Sequence, residues 1–159
     1  MNQAKKVKLI LKDSYLKTIQ NSIGAKTWRN LYAEVDGKRK DILRDGELSC
    51  AVFVSSVLLM FGLIKRRHAT IRGTLKDMKE SGWYEISKPR PGAVLLWEEQ
   101  EFARGSRHKH LGFFFKNSKA ISNCHWHRVP RTHHLTFGKK KNLPSRKIEK
   151  IFWHSRLNQ

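Results

Sequence analysis

A chain of 159 residues is long enough for one domain with its own core and short for two. Hydrophobic residues at 39%, aromatics at 10% and five Trp exclude a disordered chain, so a packed fold is expected. Lys and Arg number 33 against 13 Asp and Glu, a formal charge of +20 that draws nucleic acid, anionic cell-wall polymer or a membrane surface without choosing among them.

The opening MNQAKKVKLILKDSYLKTIQ is basic but has no uninterrupted apolar stretch and no small-residue cleavage site, so no export signal is recognisable. Cytoplasmic placement is the default expectation, with release to the cell wall as the other route. Residues 4 to 23 read as an amphipathic helix within an N-terminal segment 1 to 24, since Leu11, Tyr15, Ile19 and Ile23 recur every fourth position and Gly24 ends it. Asp36-Gly37 between Arg29 to Val35 and Lys38 to Leu43 predicts a type I′ hairpin. Leu48 to Ile64 reads as a helix apolar on every face, capped near Ser49 and closed by Lys65-Arg66-Arg67. It is too short to span a membrane and is expected to be central; no transmembrane segment is expected.

A third helix runs from the N-cap Thr70 through Ile71, Leu75 and Met78 and stops before Gly82. Strands then follow at Tyr84 to Ile86, Ala93 to Trp97, His110 to Phe115, Ala120 to Cys124 and Ile148 to Trp153. Glu98 to Lys109 reads as a long polar loop, and 138 to 147 as a basic connector. Helices first and strands after predict an α+β fold over 1 to 159, with N-terminal helices packed on a small antiparallel sheet.

Cys50 stands where the apolar helix begins, and amide donors there favour the thiolate that attacks carbonyls. Position alone does not distinguish it from a cysteine that fills a core. Downstream stand Arg-Pro-Gly-Ala-Val-Leu-Leu-Trp at 90 to 97 and His110-Leu111-Gly112-Phe113-Phe114-Phe115. With Ser49-Cys50-Ala51, this order resembles the NlpC/P60 and CHAP families of papain-like cysteine peptidases and amidases. Their pattern is a cysteine opening a buried helix, a Pro-Gly turn into a strand, a strand beginning His-x-Gly, and a neighbouring strand with a polar residue.

The resemblance covers about Gly46 to Cys124, within a catalytic core drawn as 46 to 126. It implies a papain-like fold in which Cys50 is the nucleophile and His110 the base and then the acid. It also implies an amide substrate, with peptidoglycan stem peptides as the narrower choice, and no cofactor or metal. A tyrosine upstream of the cysteine often assists, and Tyr32 is the matching position. The third member falls near Ser122-Asn123. A two-residue turn at Asn117-Ser118 pairs His110 with His125 and puts Asn123 diagonally on the same face, so Asn123 is preferred, with His125 and Ser122 as rivals. The chain departs from the pattern at Ser49, Ala51 and Ala93, where Asp, Ser or Gly, and Asp are usual.

Two other readings weigh against this one. Cys124, His125, His127, His133 and His134 are zinc-ligand types, but their spacing fits no common motif, and adjacent strand side chains point apart. The charge, with Trp126, Phe137 and Trp153, also suits a non-catalytic basic domain that binds nucleic acid or another polyanion, although no helix-turn-helix, zinc-finger or RNP-like pattern is present.

Overall fold

The computed structural model describes residues 5 to 102 and 105 to 158. Helix α1 (Leu11–Asn21), the hairpin β1 (Tyr32–Val35) and β2 (Lys38–Asp41), helix α2 (Cys50–Met60) and helix α3 (Ile71–Glu80) come first. There follow β3 (Tyr84–Glu85), β4 (Val94–Glu101), β5 (Arg107–Lys116), β6 (Lys119–Cys124), β7 (Val129–His134), β8 (Lys139–Lys140), β9 (Leu143–Pro144) and β10 (Ile148–Trp153). Six strands form one antiparallel sheet in the order β3-β10-β4-β5-β6-β7, while β8 and β9 make a separate hairpin. The architecture is α+β. Among the described residues no helix is long and apolar enough to cross a membrane.

Helix α2 is central because nearly every face of it is apolar: Phe53, Val54, Val57 and Leu58 are buried in one cluster with Leu111, Phe113 and Ile121 of the sheet. Removing such side chains from water stabilises the fold by about 1.5–3 kcal/mol each. Tyr15 and Ile19 bring α1 onto the same cluster, and the Tyr15 hydroxyl donates to the Gly92 carbonyl at 2.8 Å. Gly92 has φ +90°, and a Cβ there would lie 2.7 Å from the Tyr15 ring, so the Pro91-Gly92 turn is where α1 and the sheet meet most closely.

Several elements depart from expectation. Residues 5 to 10 carry no regular structure, α1 opening only at Leu11, and Ile23 is exposed. Helix α2 ends at Met60, before the basic run that was to close it. The Glu98 to Lys109 segment is mostly strand, β4 continuing to Glu101 and β5 beginning at Arg107; Ala103 and Arg104 lie outside the described residues. The sequence reading also passed over β7, whose residues Pro130, Arg131 and Thr132 lack an apolar alternation.

The basic run after α2 is shaped by Asp77 of α3, whose carboxylate accepts the Lys65 amide at 3.0 Å and the Arg66 amide at 2.9 Å. His68 Nε2, at 2.8 Å, and the Ser81 hydroxyl, at 3.0 Å, complete its shell. Although burial opposes ionisation, these donors hold Asp77 down at about 2. Asp77→Ala leaves four part-buried donors without their acceptor and is expected to cost about 1–3 kcal/mol in urea unfolding at pH 7. Because the folded pKa is depressed, the wild-type advantage is present above the unfolded value near 3.8 and fades as pH falls toward 2; a difference between the two proteins that does not shrink over that range would contradict the assignment.

Candidate active site

The segment before Cys50 is a strained loop held from several sides. Arg44, Asp45 and Gly46 have φ of 50°, 54° and 90°, a run of left-handed backbone that costs about 1–3 kcal/mol at each non-glycine position. Asp45 offsets the cost by a two-point ion pair with Arg29, at 2.6 and 2.8 Å, and a second with Arg128 at 2.8 Å, which together hold its carboxyl well below the usual range. Asp41 receives the Leu31, Leu43 and Asp45 amides. At Gly46 a Cβ would lie 2.6 Å from the Arg128 carbonyl oxygen, so only glycine lets the hairpin between β6 and β7 dock on this loop.

Asn123 belongs to that docking. Its side-chain amide donates to the Gly46 carbonyl at 2.7 Å, in a buried position. It therefore anchors the loop that delivers Cys50 and does not orient His110. The cause is a bulge in β5. The Asn117-Ser118 turn forms as expected, with Lys116 opposite Lys119, but the register then slips by one residue at Phe115, so that Phe114 faces Ala120 and Gly112 faces Ser122. Every side chain beyond the bulge changes face relative to its expected partner. Ser122 takes the diagonal place beside His110 that Asn123 was expected to hold.

The result is a hydrogen-bond chain across three strands: His110 Nε2 to Ser122 Oγ at 2.8 Å, Ser122 Oγ to His133 Nε2 at 2.7 Å, and His133 Nδ1 to the His134 carbonyl at 2.7 Å. Its direction follows from one fixed member. A carbonyl only accepts, so His133 Nδ1 carries a proton. Burial lowers His133 to about 4, which leaves Nε2 bare at neutral pH and makes it the acceptor of the Ser122 hydroxyl proton. Ser122 Oγ must then accept from His110 Nε2–H. His110 is itself pushed well below its ordinary value, by burial first and then by Arg146, His133 and His125. Neutral His110 thus has its lone pair on Nδ1, which has no hydrogen-bond partner among the described residues.

Gly112 makes this approach possible. A Cβ there would meet Ser122 Cβ at 2.6 Å, the Ile121 carbonyl oxygen at 2.8 Å and the Trp97 ring at 3.0 Å. Trp97 in turn packs beside His110 and His133, each at a ring-centroid distance of 5.5 Å, and donates its indole N–H to the Leu135 carbonyl. Phe137 stacks on His133 at 3.9 Å.

Cys50 is the first residue of α2. Ser49 occupies the cap position but makes no capping hydrogen bond, and its Oγ is buried without a partner, so the side chain does not cover the helix start. The amides of Leu111, Ala51 and Cys50 act on the sulfur and favour its anion, as does Arg146, yet burial outweighs them and pushes the thiol up. Cys50, His110, Ser122, Asn123 and His125 line one cavity of about 1070 Å³. No hydrogen bond joins Cys50 to His110 among the described residues.

The remaining expected residues fall elsewhere. Tyr32 is 54% exposed on the outer hairpin with Arg39 over its ring, and it does not line the cavity. His125 reaches the cavity rim against Phe102, at 5.2 Å, rather than pairing with His110. Cys124 Sγ lies 3.1 Å from His127 Nδ1, and among the described residues no group of three or more His, Cys, Asp or Glu is placed to hold a metal. Two site residues were missed: His133, read as a surface histidine because β7 was not recognised, and Arg146, hidden in the basic run. No protein-family model matches the chain, and no curated protein matches it.

Gly112→Ala is expected to cost about 1–3 kcal/mol in chemical denaturation, because backbone and a packed indole must both give way. A stability change below about 0.5 kcal/mol would contradict the close approach of Ser122. Alkylation of Cys50 by iodoacetamide, followed by peptide mapping, is expected to have its midpoint above that of free cysteine and to be slower at pH 7. A midpoint below that of free cysteine would contradict the desolvation of the sulfur.

Proposed function

We propose that this chain is a papain-like cysteine hydrolase of the NlpC/P60 or CHAP kind, which cleaves an amide through a thioester on Cys50. The observation that carries the reading is the directed chain from the His134 carbonyl through His133 and Ser122, which leaves His110 Nδ1 as a bare acceptor in the cavity where the nucleophile stands. The order of cysteine helix, Pro-Gly turn and His-x-Gly strand supports it independently.

Both members of the pair are neutral at rest, so proton transfer accompanies attack. As the Cys50 sulfur bonds to the amide carbon, its proton passes to His110 Nδ1, and Ser122 stabilises the imidazolium through Nε2–H. The open amides at the start of α2 stabilise the tetrahedral oxyanion. Collapse breaks the C–N bond, and the amine leaves with the proton from His110. Water then adds to the thioester, giving a proton to His110; collapse releases the acid and returns that proton to the sulfur. Stem peptides of peptidoglycan are the amide substrates to assay first, by mass spectrometry of the shortened chains.

Incubation with p-nitrophenyl acetate tests the chemistry. One acetyl group is expected on Cys50 in the intact mass, with His110→Ala slowing its appearance by about 10²-fold or more. Ser122→Ala is expected to lower turnover by about tenfold and to displace the acid limb of its pH profile, which in the wild type lies below 6.5, since His110 is depressed. Asn123→Ala is expected to weaken folding without moving that limb. Acetylation of Cys50 at an unchanged rate in His110→Ala would sink the proposal.

A further inference from the structure

Arg146 is 4% exposed, yet no carboxylate lies within ion-pair distance of it among the described residues. Its Nε donates to the Glu98 carbonyl at 2.9 Å and its Nη2 to the His108 carbonyl at 2.7 Å, and its guanidinium lies over the rings of Phe102 and Phe137 at 5.6 and 5.9 Å. These contacts fix the plane of the fork but neutralise no charge. The Glu98 carboxylate is itself engaged by the Lys147 amide at 2.9 Å. A buried cation without a paired counter-ion costs several kcal/mol, and the Glu98 carboxylate acts on Arg146 only from beyond ion-pair distance.

The surroundings show where an anion can enter. Arg146 lines the same cavity as Cys50 and His110, and Nη1, the terminal nitrogen opposite Nη2, has no partner among the described residues. His108, whose Nε2 is buried without a hydrogen bond, lines the cavity as well. The Arg146 charge acts on both members of the pair, favouring the thiolate of Cys50 and disfavouring protonation of His110. A planar acceptor is what a fixed guanidinium recognises best.

We infer that Arg146 is the carboxylate-binding group of this cavity, so that the compound presented to Cys50 carries a free carboxylate close to the bond that is cleaved, as in an acidic peptide or an N-acyl amino acid. The inference rests on the hydrolase reading for the cleavage, but the carboxylate site itself can be tested without turnover. A thiolate displaces iodide from iodoacetate and from iodoacetamide in the same way, forming C–S as C–I breaks, and the two reagents differ in carrying a carboxylate or a neutral amide.

The rate ratio of iodoacetate to iodoacetamide at Cys50, read by peptide mapping in 0.5 M NaCl to screen the outer basic surface, is expected to exceed that of N-acetylcysteine at least tenfold. The iodoacetate reaction is expected to saturate and to be slowed by glutarate. Arg146→Met is expected to bring the ratio to the reference value, while Arg146→Lys keeps part of it. A wild-type ratio equal to the reference, with no protection by glutarate, overturns the assignment whether or not the variants fold. Because alkylation needs no base, His110→Ala is expected to keep the ratio. A protein with the high ratio but without His110-dependent acetylation has the carboxylate site and loses the hydrolase reading, whereas the reverse result removes the carboxylate site alone.

Discussion

The candidate site depends on one carbonyl. The His134 oxygen cannot donate, and that fact orders every proton on the way to the cavity: onto His133 Nδ1, from Ser122 to His133 Nε2, and from His110 Nε2 to Ser122. A chain ending on a group able both to donate and to accept would leave the tautomer of His110 open. Burial serves the same end, because a protonated His133 would turn Ser122 around and free it to donate to His110. The sheet thus does by topology what a buried carboxamide does in papain-like proteases, where one side chain holds the imidazole.

Such a chain needs three strands at close spacing, and small residues provide it. Gly112 admits Ser122, and Ser122 is short enough to stand between two imidazoles while Trp97 and Phe137 pack around them. On the other side of the cavity the strained turn at Arg44 to Gly46 is held by Asp45 and Asn123, two groups that touch neither the thiol nor the imidazole. Cys50 and His110 come from opposite halves of the chain. The hairpin joining β6 to β7 ties them together, since Asn123 and Arg128 fasten the cysteine loop while Ser122, one residue away, fastens His110.

Local patterns were legible where local physics decides. The apolar run of α2, the Thr70 cap of α3, whose hydroxyl accepts the Gly73 amide, and the Asp36-Gly37 hairpin all form as their residues imply. The helix start at Cys50 and the strand that carries His110 were visible as well. Register was not, because the bulge at Phe115 leaves no mark in a run of three phenylalanines, and one residue of slip exchanges Asn123 for Ser122. Arg146 was illegible for a different reason. Nothing within 138 to 147 separates a cation that folds into the interior from its solvated neighbours, since the partners that draw it in, Glu98, His108 and Phe102, are distant in sequence. Ser49 shows the reverse case: a good capping residue whose hydroxyl is buried and idle.

The raised thiol has a further consequence for the life of the protein. Peroxide, electrophilic metabolites and soft metal ions react with sulfur as the anion and largely ignore the protonated form. A cysteine hydrolase that keeps a permanent ion pair is exposed to this chemistry between turnovers. Here desolvation disfavours the anion of Cys50, a half-buried residue at the wall of the cavity. A thiol raised in this way is less open to oxidation in the resting protein than an ordinary cysteine.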